Sequence, residues 1–127
     1  MRAVDTNVLV RLVTRDDPSQ AADAESFIAN GAWVSNLVLA ETTWVLHSMY
    51  GLGANALARA VDMLLNHRQL ALEDPEGISA ALKRFRQHPK LGFSDCLILE
   101  TARKAGHLPL GTFDKSLGKI EGAQRIA

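Results

Sequence analysis

The 127-residue sequence contains a single cysteine, Cys96, so no disulfide bond can form within the chain. A fold that depends on internal disulfides is therefore excluded, and we expect a reducing, cytosolic setting. No run approaches the roughly 20 apolar residues of a membrane span. The first residues, MRAVDTN, lack the features of a signal peptide. We therefore expect a soluble cytoplasmic protein without a membrane partner.

An excess of charge of either sign is also absent, since 14 basic residues balance 14 acidic ones and the isoelectric point is near 6.9. A strongly basic composition would have pointed to a phosphate-rich partner. The balance removes that argument, but it still permits a local group of arginines opposite a group of carboxylates.

Several motifs of common enzyme classes are missing as well. The chain has no G-x-S-x-G nucleophile elbow and no phosphate-binding G-x-x-x-x-G-K-[ST] loop. Its four histidines are scattered without metal-ligand spacing. Cys96 lies in an apolar helix with no adjacent histidine, which favours a buried structural thiol over a nucleophile. The acidic residues remain as the candidates for chemistry.

Short apolar strands alternate with helices along the chain, which predicts one α/β domain, residues 1–127, with a mainly parallel sheet. Predicted strands are 2–5, 32–35, 69–73, 108–114 and 124–127. Predicted helices cover residues 8–13, 18–30, 36–50, 54–67, 75–88 and 94–104. The second is expected to begin at the N-cap Asp17, and the third at Ser35 or Asn36. The segment GLGANA (51–56) joins two helices. Pro109 cannot donate a hydrogen bond within a sheet, so we expect the fourth strand to be very short.

Asp5 interrupts the first apolar stretch, AVDTNVLVRLV (residues 3–13). It ends the first predicted strand and precedes the first helix, which in an open α/β sheet is the crevice where ligands bind. The alternative is that Asp5 only caps the helix.

Glu41 is surrounded, one helical turn away in either direction, by apolar residues. These are Leu37, Val38, Trp44 and Val45. We therefore expect Glu41 on the apolar face of its helix, where a carboxylate requires a metal ion, a basic partner or a raised pKa. The alternative places it at the rim of that face with its carboxylate in water.

Asp95 and Asp114 occupy comparable positions later in the chain. Asp95 opens the helix SDCLILETARKAG, for which Ser94 offers a cap, and it leans toward the core side. Asp114 follows the strand PLGTF, and Thr112 lies just before it. For both carboxylates a purely structural role at a helix or turn start is the competing interpretation.

Three of these four carboxylates are predicted at strand ends or helix starts on one edge of the sheet, and the fourth on an adjacent helix. Carboxylates in one cleft repel each other unless a cation neutralises them. Oxygen ligands without histidine or cysteine select Mg²⁺ or Mn²⁺ over zinc. A hydrated ion of this kind suits phosphodiester hydrolysis.

Four segments, AVDTNVLVR, SNLVLAETTWVL, FSDCLILETA and GTFDKSL, closely resemble in order and spacing the motifs of PIN-domain ribonucleases. The resemblance is strongest to the VapC-like toxins of prokaryotic type II toxin–antitoxin pairs. It implies a three-layer α/β/α fold with a mainly parallel sheet of about five strands, and an acidic pocket that binds Mg²⁺ or Mn²⁺. Its four metal-binding and catalytic positions fall on Asp5, Glu41, Asp95 and Asp114, and its supporting polar positions on Thr6, Asn7 and Thr112.

The resemblance further implies a metal-dependent endoribonuclease that blocks translation, a homodimer, and an antitoxin that covers the pocket. Candidate partner surfaces include Trp44, Leu57 and Leu64, for which an ordinary core position is the alternative. Candidate contacts to RNA phosphates are Arg11, Arg86, Lys90 and Lys115, and Lys83 and Arg84 belong to the same basic run, KRFRQHPK. A solvated helix face is the alternative for that run.

Two other functions remain open at this point. One is a PIN-like module that binds RNA without cutting it, although all four acidic positions are filled. The other is a Mg²⁺-binding signalling domain like a response-regulator receiver. That domain needs an acidic pair near the end of the first strand and a later lysine, whereas here Asp5 is followed by Thr6 and no suitable lysine is evident.

Overall fold

Helices and strands alternate along the chain in the computed structural model, which describes residues 1–127. The helices are α1 (Thr6–Thr14), α2 (Pro18–Ile28), α3 (Asn36–Ser48), α4 (Ala54–Leu65), α5 (Pro75–Gln87) and α6 (Phe93–Ala105). The strands are β1 (Arg2–Ala3), β2 (Ala32–Val34), β3 (Leu70–Leu72), β4 (Leu110–Thr112) and β5 (Ala123–Arg125), and a 3₁₀ turn covers Leu117–Lys119. Every predicted element is present, with ends that differ by a few residues.

The first of two compact units comprises Met1–Pro75. It contains a parallel sheet in the order β1, β2, β3, in which Ala3 pairs with Trp33 and Trp33 with Ala71. Helices connect successive strands, and α1 packs against both α2 and α3. Because the strands are parallel, their carboxyl ends lie at one edge of this sheet.

Two of the helices in this unit begin with the side-chain caps that the sequence predicts. Asp17 accepts a hydrogen bond from the backbone nitrogen of Gln20, and Pro18 follows as the first residue of α2. Ser35 accepts one from Val38 at the start of α3. Since a helix leaves its first backbone N–H groups without partners, these local hydrogen bonds fix where the helices start.

The second unit comprises Glu76–Ala127 and holds the parallel pair β4 and β5. Phe85 of α5 and Phe93 of α6 meet edge to face, with ring centroids 5.9 Å apart. The predicted Ser94 cap is wrong, because α6 starts at Phe93 with Gly92 as its N-cap and no capping side chain. Phe93 is only 1% exposed, so burial of this ring draws the first turn one residue earlier.

The predicted α/β class with five parallel strands is confirmed, and hydrogen bonding divides the strands into sheets of three and two. The fourth strand is short, as expected, and Pro109 lies just before it. Gly106 ends α6 with φ of +83°, a conformation that favours glycine. None of the helices combines the length and apolar character that a membrane crossing needs.

Two of the three residues proposed for partner surfaces belong to the core. Leu57 and Leu64 are 4% and 1% exposed, so this prediction is wrong for them and the ordinary core alternative holds. Both lie on the buried face of α4. Trp44 is 60% exposed and remains a candidate.

Candidate functional site

Asp5 lies where the pairing of β1 with β2 ends, just after the hydrogen bond from the Val4 nitrogen to the Trp33 oxygen. It is exposed, and its Oδ1 accepts a hydrogen bond of 3.0 Å from the Asn7 nitrogen, which caps α1. The capping alternative is therefore realised. A carboxylate has two oxygens, so a cap formed by Oδ1 is compatible with a metal bound through Oδ2.

The polar residues after Asp5 differ in accessibility. Thr6 is buried, with 8% exposure, whereas Asn7 is exposed. Asn7 also lines an apolar cavity of about 260 Å³ between α1 and α2, together with Arg11 and Phe27. Asn7 is thus the more accessible of the two predicted supporting residues at this strand end.

Arg11 is tied into a hydrogen-bond network within the first unit. Its Nε donates to Gln20 at 2.6 Å, and its Nη1 donates to Asp16 at 3.3 Å and to the Tyr50 hydroxyl at 3.0 Å. Tyr50 in turn donates to Asp16. The other three predicted phosphate contacts, Arg86, Lys90 and Lys115, are exposed. A phosphate would have to compete with Gln20, Asp16 and Tyr50 for the Arg11 guanidinium.

Glu41 is exposed on α3, so the expectation that it projects from a buried apolar face is wrong. Two of the apolar residues around it are themselves exposed, Leu37 at 78% and Trp44 at 60%, and Val38 and Val45 are half-buried. α3 instead buries Leu39, Thr42, Thr43 and Leu46. The rim alternative describes Glu41 correctly, and its carboxylate is accessible to a ligand.

Glu73 is a further carboxylate at this sheet edge, and it is not among the candidates that the sequence motifs single out. It follows β3, and its Oε1 accepts a hydrogen bond of 2.9 Å from the Asn36 nitrogen at the start of α3. The Asn36 Oδ1 is buried without a hydrogen-bond partner. The strand-end rule that singled out Asp5 would also have found Glu73.

The negative charge of Asp114 acts on Asp95 within the second unit. Partial burial, followed by the negative charge of Asp114, raises the pKa of Asp95 above its usual value of 3.8. Asp95 lies in the first turn of α6, and its Oδ2 is close to Gly92. A cation would stabilise the ionised form of a carboxyl group placed in such surroundings.

Asp114 is held by local hydrogen bonds. Its Oδ1 accepts a bond of 2.7 Å from the Leu117 nitrogen at the start of the 3₁₀ turn, and its own nitrogen donates to the Thr112 Oγ1 at 3.0 Å. The capping alternative is thus realised here too. Thr112 fixes the backbone that carries Asp114, which gives this predicted supporting residue a defined contact.

Each unit carries two of the four predicted metal ligands, Asp5 and Glu41 in the first and Asp95 and Asp114 in the second. Within neither unit do three aspartate, glutamate, histidine or cysteine side chains form a metal-sized group. The Asp95–Asp114 pair nevertheless has the donor chemistry that a divalent cation prefers, because its oxygens are hard ligands and Asp95 is partly buried.

Cys96, beside Asp95, is fully buried, as expected of a structural thiol. Burial, with a smaller contribution from Asp95, raises the pKa of the thiol to about 11. The thiol is therefore protonated at neutral pH and is a poor nucleophile.

Comparison with known proteins agrees with the ordered acidic motifs. The model of the PIN domain family matches residues 2–123, which is nearly the whole chain. No curated protein matches. PIN domains are generally nucleases that use a divalent metal and act on RNA. The extent of this match, together with the parallel strands and the acidic residues at their ends, shows that the chain belongs to the PIN domain family.

Proposed function

We propose that residues 1–127 act as one PIN domain, a Mg²⁺- or Mn²⁺-dependent endoribonuclease that hydrolyses RNA phosphodiester bonds. The observation that carries the proposal is the Asp95–Asp114 pair, where burial and a neighbouring negative charge raise the pKa of Asp95. A divalent ion, when bound, supplies the neutralising charge and an activated water.

The four carboxylates have distinct parts in this proposal. Asp95 and Asp114 hold the ion, and Thr112 keeps Asp114 in position through its hydrogen bond to the Asp114 nitrogen. Asp5 contributes the oxygen that does not cap α1, and Glu41 contributes an exposed carboxylate from α3. The catalytic role of all four rests on the family motifs that they match.

Substrate binding is assigned to exposed basic residues. Arg86, Lys90 and Lys115 would contact RNA phosphates, which positions the strand without selecting its sequence. Arg11 would join them by exchanging a partner in its network with Asp16 and Tyr50. Asn7 and Thr6 would complete the polar surroundings of Asp5.

We further propose that the protein is a cytoplasmic toxin that blocks translation, forms a homodimer and is inhibited by an antitoxin. The resemblance of its four motifs to VapC-like toxins supports this role. Leu37 and Trp44 on α3 expose large apolar surfaces on either side of Glu41, as expected of a helix that meets a protein partner. An antitoxin bound there would cover Glu41.

The direct test is to incubate purified protein with single-stranded RNA in Mg²⁺, in Mn²⁺ and in EDTA. We expect cleavage with either metal, none in EDTA, and none from the Asp5→Asn or Asp95→Asn variants. Cleavage that persists in EDTA or in both variants would contradict the proposal. Metal-independent RNA binding without cleavage would instead support the non-cleaving module, and labelling by a small phosphodonor the receiver-like domain.

The toxin role requires a separate experiment in cells. Expression of the wild-type chain should arrest growth and protein synthesis, whereas Asp95→Asn should not. Sequencing the 5′ ends of RNA fragments soon after induction would identify the RNA and its cleavage site. Arrest by both chains would contradict a toxin mechanism based on cleavage.

A further inference from the structure

A polar cleft of about 340 Å³ lies between α5 and α6 in the second unit. Its charged and amide lining consists of Lys83, Arg84, Gln87, Glu100 and Arg103. None of these is one of the acidic residues assigned to the metal. The cleft therefore needs an explanation of its own.

Glu100 organises the cations of this cleft. It is only 8% exposed, and its Oε1 accepts hydrogen bonds from the Nε and Nη2 of Arg84 at 3.2 and 3.0 Å. The Nε of Arg103 lies 3.5 Å from its Oε2. One buried carboxylate thus holds two guanidinium groups. Because both are already restricted in the folded chain, they lose less conformational entropy when they bind a ligand.

Arg103 is fixed from a second side. Its Nη2 donates to the backbone oxygen of Glu121 at 2.8 Å, and a Cβ at Gly122 would approach Nη2 to 2.7 Å. Gly122 has φ of +95°, a conformation that favours glycine, and a side chain there would displace the Arg103 guanidinium. The Nε of Arg103 is buried and has no hydrogen-bond partner.

The charges in the cleft do not balance. Lys83, Arg84 and Arg103 contribute three positive charges, whereas Glu100 contributes one negative charge. Concave walls concentrate the resulting potential, and preoriented guanidinium groups match the oxygens of a phosphate. An additional anion would neutralise the excess and use donors that Glu100 leaves free.

We propose that this cleft is a phosphate-binding site, separate from the metal-binding carboxylates, and that its ligand is a backbone phosphate of RNA. The assignment to RNA rests on the proposed function. Lys83, which is exposed, provides the mobile contact, and Arg84 and Arg103 provide the fixed one.

The test uses variants that leave the Glu100 ion pairs intact. Lys83→Gln removes one charge from the cleft, and Gln87→Glu adds an opposing one. Arg59→Gln is the matched control, because Arg59 is exposed on α4 in the first unit and lines no part of the cleft. Binding of a labelled single-stranded RNA is measured in EDTA, so the result does not depend on cleavage.

We expect Lys83→Gln to weaken RNA binding by about three- to tenfold near 0.1 M salt. The slope of log K against log salt concentration should become smaller in magnitude by about 0.7, the amount for one phosphate contact on a single strand. Gln87→Glu should weaken binding further, and Arg59→Gln should leave it unchanged. A parallel NMR titration with inorganic phosphate should shift the side-chain signals of Arg84 and Arg103.

Two outcomes would overturn the assignment. If phosphate shifts these signals but RNA binding is the same in all variants, the site takes free phosphate and not RNA. If phosphate shifts no signal of Arg84 or Arg103 and RNA binding is the same in all variants, the cleft is only an ion-pair cluster that joins two helices. If RNA binding behaves as expected while no RNA is ever cut, the cleft proposal stands and the nuclease proposal fails.

Discussion

The two compact units use their carboxylates in different ways. In the first unit Asp5 and Glu41 are exposed, and the one hydrogen bond of Asp5 serves a helix cap. In the second unit Asp95 is partly buried beside Asp114, and its pKa is raised. The first unit presents its acidic groups to solvent, whereas the second retains an unfavourable pair. Such a pair is expected where a cation is to be bound.

The largest difference should appear when the unfavourable pair is broken. We expect Asp95→Asn to reduce the rate of RNA cleavage by about 100-fold or more, because it removes a metal ligand. It should also abolish the rise in melting temperature that Mg²⁺ gives the wild-type chain. Asp23→Asn, which neutralises an exposed carboxylate on α2, is the control for both measurements. A Mg²⁺-induced rise that survives in Asp95→Asn would count against Asp95 as a ligand.

A second contrast concerns the ion pairs of the two units. Glu100 has a side chain only 9% exposed and pairs with two arginines, whereas Glu25 in the first unit is 53% exposed and pairs with Arg15. We expect Glu100→Gln to lower the free energy of unfolding by about 2–3 kcal/mol, because two partly buried guanidinium groups lose their counterion. Glu25→Gln should lower it by less than about 0.5 kcal/mol. Urea denaturation measures both, and equal effects would show that burial does not distinguish these pairs.

Asp5 allows its two roles to be separated. Asparagine caps helices about as well as aspartate, so Asp5→Asn should leave the free energy of unfolding within about 0.3 kcal/mol of wild type, whereas Asp5→Ala should lower it by about 1 kcal/mol. Both should lose RNA cleavage, because neither retains the carboxylate. Cleavage by Asp5→Asn at the wild-type rate would leave Asp5 as a cap alone.

Local sequence signals were sufficient for most of the fold. Asp17 and Ser35 mark helix starts through hydrogen bonds that span only three residues, and Gly106 marks a helix end through its own backbone preference. The short apolar strands and their parallel arrangement follow from the alternation with helices. These features depend on near neighbours in the chain, so they are readable without the tertiary structure.

The orientation of α3 could not be predicted in the same way, because both sides of this helix carry apolar residues. Thr42 and Thr43 are buried, and their hydroxyls donate to the backbone oxygens of Val38 and Ala40. Burial of these threonines therefore leaves no hydroxyl unpaired. Counting apolar residues alone placed Glu41 on the wrong side. Tertiary packing determines which side of such a helix is covered.

The candidate site shows a similar division. The sequence motifs selected Asp95 and Asp114, but only the fold shows that the two residues are close enough for one charge to act on the other. The hydrogen bond between the Asn36 nitrogen and Glu73, 37 positions apart in sequence, is likewise visible only in the fold. Long-range proximity of this kind has no local signature.

The smallest effect we predict is a pH dependence of stability that originates in Asp95. Because the pKa of Asp95 is higher in the folded chain than its usual value of 3.8, the folded state holds this proton more tightly than the unfolded state does. In EDTA, the free energy of unfolding of wild type relative to Asp95→Asn should therefore fall as pH rises from 3.8 through the raised pKa, and then level off. Asp114→Asn should reduce this fall without removing it, since burial is the larger cause and the charge of Asp114 the smaller.

With Mg²⁺ present the trend should reverse, because the ion binds the ionised pair and stabilises the folded state. Thermal denaturation at a series of pH values, with and without Mg²⁺, measures all of these differences. A relative stability that rises with pH in EDTA would mean that Asp95 is favourably partnered, and the contrast between the two units would then disappear.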